Sequence, residues 1–216
     1  MNSNELFEYA EQHSTPEYPF LERLNRETNL TQVYPRMLAG HMQGMLLRFI
    51  SQMIRPKRIL EIGTFTGYSA INFAMGLASE PGDEDVIHTI DVDAELEKTI
   101  RKYLAEAGLE KKVILHIGEA LKIIPTLDET WDLVYIDADK PNYLNYYKMV
   151  FDQVRPGGFI LADNALWDGK VLDPGTRSKD THGIIDFNDF VMKDDRVENL
   201  LLPFRDGVMI IQKLSR

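Results

Sequence analysis

Two stretches of this sequence end in residues that could share a cation: Tyr135-Ile136-Asp137-Ala138-Asp139-Lys140 and Leu161-Ala162-Asp163-Asn164. Each closes a short apolar segment of strand type, and neighbouring parallel strands bring their carboxyl ends together. Asp137, Asp163 and Asn164 are therefore expected to meet at one point. Two carboxylates and an amide carbonyl are hard oxygen donors, suited to Mg²⁺, Mn²⁺ or Ca²⁺ with water completing the shell. Without a cation, such carboxylates repel and one of them titrates high. Taken singly, a strand-end aspartate is more often a solvated acid or a helix cap. Asp139, just before Lys140-Pro141, fits that second role.

Lys140 stands three residues beyond Asp137 at the same mouth. A lysine beside a divalent cation gives up a proton more readily and could then take one from a hydroxyl. The other reading is a surface lysine that neutralises the acids. Trp167, four residues after Asp163, lies in a long loop over 165–181 that contains Gly169 and Pro174-Gly175. Its ring either walls a flat substrate or anchors the loop to the core.

A second candidate site precedes these acids. The run Glu61-Ile62-Gly63-Thr64-Phe65-Thr66-Gly67-Tyr68-Ser69 passes from a strand into a helix. Gly63 allows a tight turn and close ligand approach, and Gly67 stands where helix N-terminal amides can meet an anion. The next strand ends at Asp91, placed to accept from two ribose hydroxyls. The spacing Gly63-x-x-x-Gly67 misses the dinucleotide pattern G-x-G-x-x-G, which disfavours a nicotinamide oxidoreductase. On their own the two glycines could be turn punctuation. With Glu61 and Asp91 beside them, a ribose-bearing cofactor is expected, its base ring near Gly118-Glu119-Ala120.

Positioning such groups requires an alternating fold. Apolar runs at Arg58–Ile62, Val86–Ile90, Val113–Ile117, Leu133–Ile136, Phe159–Ala162, Val197–Leu202 and Val208–Gln212 read as strands. Helical patterns separate most of them, at Tyr68–Ala78, Ala94–Ala107, Glu119–Ile124, Tyr143–Val154 and Gly183–Met192. That alternation predicts an α/β fold: a single Rossmann-like, doubly wound, seven-stranded sheet, mostly parallel. Only 203–207 separates the last two strands, so they should form a C-terminal antiparallel hairpin. Upstream, Ser3 can cap a short helix, Thr15-Pro16 can start another toward Asn29, and a third spans Gly40–Ile54 and stops at Arg55-Pro56. Residues 1–36 are thus expected as an N-terminal helical extension and 37–216 as the main domain. Met37, Met42, Met45 and Met53 read as packing. His88 and His116 fall within strands, and His182 is expected to open a helix.

The 216 residues include 34 acidic and 24 basic side chains, a net charge of −10, with 44% hydrophobic residues and no cysteine. A core can be buried without staples, and disulfide, thiolate-metal and cysteine-nucleophile chemistry is excluded. The acidic balance speaks against nucleic acid and against an anionic membrane surface. No uninterrupted apolar run exceeds four residues, far short of a bilayer span. The acidic, polar start is unlike a signal peptide, so a cytoplasmic location is expected.

Three runs, Leu60–Ala70 (LEIGTFTGYSA), Tyr135–Tyr147 (YIDADKPNYLNYY) and Arg155–Val171 (RPGGFILADNALWDGKV), resemble the cation-dependent class I O-methyltransferases. The caffeoyl-CoA and catechol O-methyltransferases and their bacterial relatives are the most similar group. The resemblance extends from about Met37 to Gln212 and implies S-adenosylmethionine (SAM) as cofactor. It places Ala39 (through its backbone), Glu61, Gly63, Thr64 and Ser69 around the methionine part, Asp91 on the ribose and Ala120 near the adenine. It further implies a divalent cation on Asp137, Asp163 and Asn164, Lys140 as general base, and a homodimer. The implied reaction is methyl transfer to one hydroxyl of a catechol-like small molecule. Against it stand a nicotinamide oxidoreductase, a non-catalytic SAM- or metal-binding protein, and an RNA or protein methyltransferase. The segment 168–186 has no tyrosine, phenylalanine or tryptophan where the plant enzymes carry acceptor-binding aromatics, and the glutamate that helps orient catechol in the animal enzymes has no clear counterpart before Asp206-Gly207, so the resemblance implies the reaction type and not the identity of the acceptor.

Overall fold

The structure, a computed structural model, describes residues 3–77, 84–173, 175 and 178–215. The side chain of Ser3, together with Ala78 and Pro174, lies outside the described residues. Seven strands form one sheet: β1 (Arg58–Ile62), β2 (Val86–Asp91), β3 (Val113–Ile117), β4 (Trp131–Ile136), β5 (Val154–Ala162), β6 (Val197–Leu202) and β7 (Val208–Lys213). Their order is β3-β2-β1-β4-β5-β7-β6, with β7 antiparallel to both of its neighbours. The four other pairings are parallel. Strand order therefore reverses between β1 and β4, and the crevice beyond their carboxyl ends is where such sheets bind ligands.

Eight α-helices accompany the described strands: α1 (Ser3–Gln12), α2 (Pro19–Thr31), α3 (Gly40–Ile54), α4 (Tyr68–Gly76), α5 (Glu97–Glu106), α6 (Ala120–Ile123), α7 (Tyr143–Phe151) and α8 (Lys179–Lys193). They bury both faces of the sheet, which is why the central strands are almost continuously apolar. On one face Trp131, Tyr143, Tyr147 and Phe187 pack with Val134 and Ile136. On the other, Leu47, Tyr68, Phe73 and Tyr103 pack with Ile59 and Leu133, and Leu21 and Leu24 of α2 join them. The N-terminal segment is thus docked into the same core.

Several boundaries depart from the sequence reading. Helix α2 begins at Pro19 rather than at Thr15-Pro16, because a proline suits the first helical turn and His41 Nε2 lies 2.8 Å from the Thr15 carbonyl. Helix α7 stops at Phe151, three residues early, since Val154 already pairs with Trp131 in the sheet. Strand β5 then runs through Pro156 and Gly157, at a register shift opposite Trp131–Leu133 where a proline is tolerated. Ser178, not His182, caps α8, its hydroxyl accepting from Thr181 N. Helix α3 ends as its sequence suggests, with Arg55 in the left-handed region (φ +53°) before Pro56. Two of the four methionines read as packing, Met37 and Met53, are instead exposed.

Candidate active site

Parallel register aligns the key residues. Ile62 pairs with both Ile90 and Ile136, and Ile136 pairs with Ala162. Asp91, Gly63, Asp137 and Asp163 consequently stand in one row along the carboxyl edge. The row is stitched by backbone hydrogen bonds from Gly63 to Ile90, Asp137 to Ile62 and Asp163 to Ile136 (2.9, 2.8 and 3.0 Å). Gly63 adopts φ +99°, and a Cβ there would fall 1.9 Å from the Asp137 carbonyl oxygen. No other residue type permits this approach, so the two candidate sites are physically joined through Gly63.

On the β1–β2 side, Asp91 organises the turn. Its Oδ2 accepts from Thr64 N (3.0 Å) and Phe65 N (2.6 Å), and its Oδ1 from Asp93 N (2.9 Å). A carboxylate offers about four acceptor positions, so one remains for a ribose hydroxyl. Gly118 N bonds the Asp91 carbonyl (2.7 Å), drawing the loop before Ala120 to the same place. Ala120 is buried as the first residue of α6. Ala39, also buried, immediately precedes α3, across from the strand ends.

Glu61 is the one acidic residue in β1, and it is fully buried. Thr89 Oγ1 donates to its Oε2 (2.5 Å), Ser69 supplies a second side-chain hydrogen bond, and Thr64 Oγ1 lies 2.5 Å from Thr89 Oγ1. Its Oε1 has no partner. Burial pushes the Glu61 carboxyl up to about 8, with Asp137 and Asp91 adding to the rise. A buried carboxylate with an orphaned oxygen costs stability unless a donor or cation reaches it. The ammonium or sulfonium of SAM meets that need, so the residues present fit this cofactor.

On the β4–β5 side the acids stand at adjoining strand ends. Asp163 is buried: its Oδ2 accepts from Gln43 Nε2 (2.5 Å) and Tyr135 OH (3.1 Å), and its Oδ1 from Asn164 N (2.8 Å). Burial, then the neighbouring Asp137, raises its carboxyl to about 6. Lys140, also buried, donates from Nζ to Asp137 Oδ1 (3.0 Å), Tyr143 OH (2.7 Å) and Asn164 Oδ1 (2.6 Å). Lys140 is therefore no surface lysine. Its ammonium bridges two of the three candidate ligands, occupying the position that a cation would contest. Two carboxylates and an amide oxygen with mutual repulsion fit a hard divalent ion. Among the described residues no group of three or more histidine or carboxylate side chains forms a metal cage; the set here depends on an amide. Asp139 turns away, accepting from Asn142 Nδ2 (2.6 Å) and Tyr146 OH (2.5 Å).

The Trp167 ring anchors its loop to the core. It packs partly buried against the core, and Lys140 Nζ lies 5.5 Å from its centroid. Lys170 Nζ sits 5.4 Å from the same ring. Both distances are within cation–π range.

Sequence reasoning missed four partners. Gln43 hides within an apolar helix pattern, yet it is buried and reaches Asp163 while Arg205 Nη1 holds its Oε1 (2.9 Å). Tyr135 and Tyr143 read as core aromatics, and only their hydroxyls betray a site role. Asp206, in the turn between β6 and β7, accepts from Asn164 Nδ2 (3.2 Å).

The family model described as O-methyltransferase matches residues 11–214. Catechol O-methyltransferase domain-containing protein 1 of the mouse, Mus musculus, is 35% identical over 219 residues, covering 98% of this chain and 80% of that protein. Caffeoyl-CoA O-methyltransferase of Petroselinum crispum is 30% identical over 228 residues, covering 100% of this chain and 93% of the relative. Among solved structures, an O-methyltransferase from Streptomyces achromogenes involved in tomaymycin synthesis, in complex with SAM, superposes with a TM-score of 0.90. Its identity is 27%, and both chains are covered in full.

Proposed function

This chain belongs to the O-methyltransferase family and is a SAM-dependent enzyme, and on that premise we propose that it methylates one of two adjacent hydroxyls on a catechol-like small molecule. In this reading Asp137, Asp163 and Asn164 hold a divalent cation, Mg²⁺ first and Mn²⁺ or Ca²⁺ as substitutes, and Lys140 is the general base. The observation that carries it is a buried lysine that bridges the Asp137 carboxylate and the Asn164 amide oxygen, with the buried Asp163 carboxyl at the adjoining strand end and the Gly63–Gly67 loop beside them. Caffeoyl-CoA and catechol, the compounds in the relatives' names, both present vicinal phenolic hydroxyls.

The residues divide the work. Glu61, with Ser69 and Thr64, holds the positive end of SAM; Asp91 accepts from its ribose; the 118–120 turn borders its base; Ala39 offers backbone to the methionine part. SAM supplies the electrophilic methyl, and the cation supplies Lewis acidity toward two adjacent oxygens. As the neutral amine, Lys140 would keep the Tyr143 hydroxyl as a partner and could take the proton of the attacked hydroxyl, becoming the ammonium. Methyl transfer would require the attacked oxygen to be held in line with the carbon–sulfur bond of SAM, so alignment by these residues would supply most of the rate. The Trp167 ring lies over Lys140 as a wall for a flat acceptor.

The remaining assignments are part of the same proposal. Residues 37–216 are the methyltransferase domain and 1–36 a helical extension docked on it. Exposed Leu30, Val33, Tyr34, Met37, Phe49 and Met53 on the N-terminal helices and the short turn between them support a homodimer, which would cover large apolar side chains otherwise left in water. The net charge of −10 supports a small-molecule acceptor over nucleic acid. No helix of the described residues is long and apolar enough to cross a membrane, in keeping with action in the cytoplasm. The test is Asp163→Ala assayed over a Mg²⁺ titration. Turnover should be lost at every concentration, and undiminished, cation-independent turnover would reject the cation site.

A further inference from the structure

We propose that Asp206 is a positioning residue that sets the amide of Asn164 so that its oxygen, and not its nitrogen, faces the cation. The inference rests on the cation reading above and adds a residue outside the ligand set. An asparagine is a ligand in only one of its two amide orientations, and something must choose. Around Asn164 the choice is made by partners of opposite character. Asp206 Oδ2 can only accept, and it takes Asn164 Nδ2 at 3.2 Å. Lys140 Nζ, as an ammonium, can only donate, and it meets Asn164 Oδ1 at 2.6 Å. Displacing Lys140 to admit a cation would remove the second constraint, leaving Asp206 as the group that keeps the oxygen pointing inward.

The turn that carries Asp206 is built to hold that position. Residue 164 itself is in the left-handed region (φ +56°), as are Arg205 (φ +50°) and Gly207 (φ +85°). Two backbone hydrogen bonds join the turn to the ligand loop, from Ala165 N to the Gly207 carbonyl (2.9 Å) and from Leu166 N to the Asp206 carbonyl (2.8 Å). A Cβ at position 207 would lie 2.5 Å from Leu166 Cγ, so only glycine lets the two segments close this tightly. The second carboxylate oxygen of Asp206 accepts from Asp168 N, which fixes the carboxylate plane. Arg205, one residue earlier, applies the inverse logic to Gln43: a donor-only guanidinium takes Oε1 and leaves Nε2 for Asp163.

The test exchanges the two groups. In Asp206→Asn the retained oxygen still serves Asp168 N, and the new amide nitrogen needs an acceptor on Asn164, which turns Oδ1 away from the site. The full chain, freed of metal and titrated with Mn²⁺ while the free ion is followed by electron paramagnetic resonance, should bind about 10–100-fold more weakly in this variant. Binding of S-adenosylhomocysteine and melting without metal should stay at wild-type values. In the double variant Asn164→Asp with Asp206→Asn, the aspartate accepts from the new amide and still presents an oxygen inward, so most of the Mn²⁺ affinity should return. Equal Mn²⁺ binding by wild type and Asp206→Asn overturns this inference alone. A double variant as weak as the single one also overturns it, because a merely structural role would not be rescued by exchange. No Mn²⁺ binding by the wild type would overturn the cation reading, and this inference with it.

Discussion

Glu61 offers the sharpest quantitative test, because its cost to the empty protein and its use to the cofactor have opposite signs. Its carboxyl, ordinarily near 4.5, is pushed up to about 8 by full burial. An acid with a raised native pKa favours the protonated form on folding. Its contribution is therefore greatest at acid pH and is lost as pH rises from about 4.5 through 8. At 1.36 kcal/mol per unit, keeping Glu61 in the fold at pH 7 costs roughly 3 kcal/mol relative to a neutral isostere. Glu61→Gln keeps the acceptor for Thr89 and removes the ionisation. The SAM-free variant should melt above wild type at pH 7–8, by about 6–12 °C at 2–4 °C per kcal/mol for a chain of this size. The gap should close toward pH 5. Cofactor affinity should move the other way, falling roughly 10–100-fold for one lost charge-assisted contact of about 1.5–3 kcal/mol. Scanning calorimetry between pH 5 and 8.5, and titration with SAM, read both. A variant that melts at or below wild type at pH 8, with the same pH slope, would show that the buried Glu61 carboxyl carries no such cost.

Other perturbations probe the rest of the site. Gly63→Ala drives a methyl group into the Asp137 carbonyl at a backbone angle that alanine resists; equilibrium urea unfolding should show a loss of about 2–4 kcal/mol, and SAM binding should fail. Lys140→Met removes the ammonium that bridges Asp137 and Asn164 and, in the proposed reading, the general base. Its kcat should fall about 10²–10⁴-fold while Mn²⁺ binding is unchanged or tighter. Away from the site, His88 and His116 share a hydrogen bond of 3.1 Å between β2 and β3, and burial lowers both pKa values. Imidazoles held neutral in the fold stabilise it above pH 6.5 and withdraw that stability as pH falls below it. The double variant His88→Gln with His116→Gln should flatten the melting curve between pH 6.5 and 5, as read by circular dichroism.

Much of this site was legible because the strands are. Runs such as Arg58–Ile62 and Leu133–Ile136 are apolar on both faces, so the polar residues that break or end them, Glu61, Asp91, Asp137 and Asp163, stand out. Parallel register then does the rest by aligning strand ends. The orienting layer was not legible in the same way. Gln43 and Asp163 are 120 residues apart, and nothing in an apolar helix pattern says that its one buried amide reaches across the sheet. Asp206 reads as an ordinary turn residue beside glycine; its role exists only because the 203–207 turn closes on the 164–168 loop. Helix starts slipped where two prolines competed, at Pro16 and Pro19. The end of α7 slipped because the register of β4, a long-range property, claims Val154 for the sheet.

Methylation of vicinal hydroxyls with the help of a cation on Asp137, Asp163 and Asn164 is the activity proposed for this enzyme. Its most direct measurement is transfer of labelled methyl from SAM to matched acceptors, one with two adjacent phenolic hydroxyls and one with a single hydroxyl, each with Mg²⁺ and with EDTA. Labelled product from the vicinal acceptor only, abolished by EDTA and restored by added Mg²⁺, is the predicted result. Equal labelling of both acceptors, or labelling that survives EDTA, would contradict it.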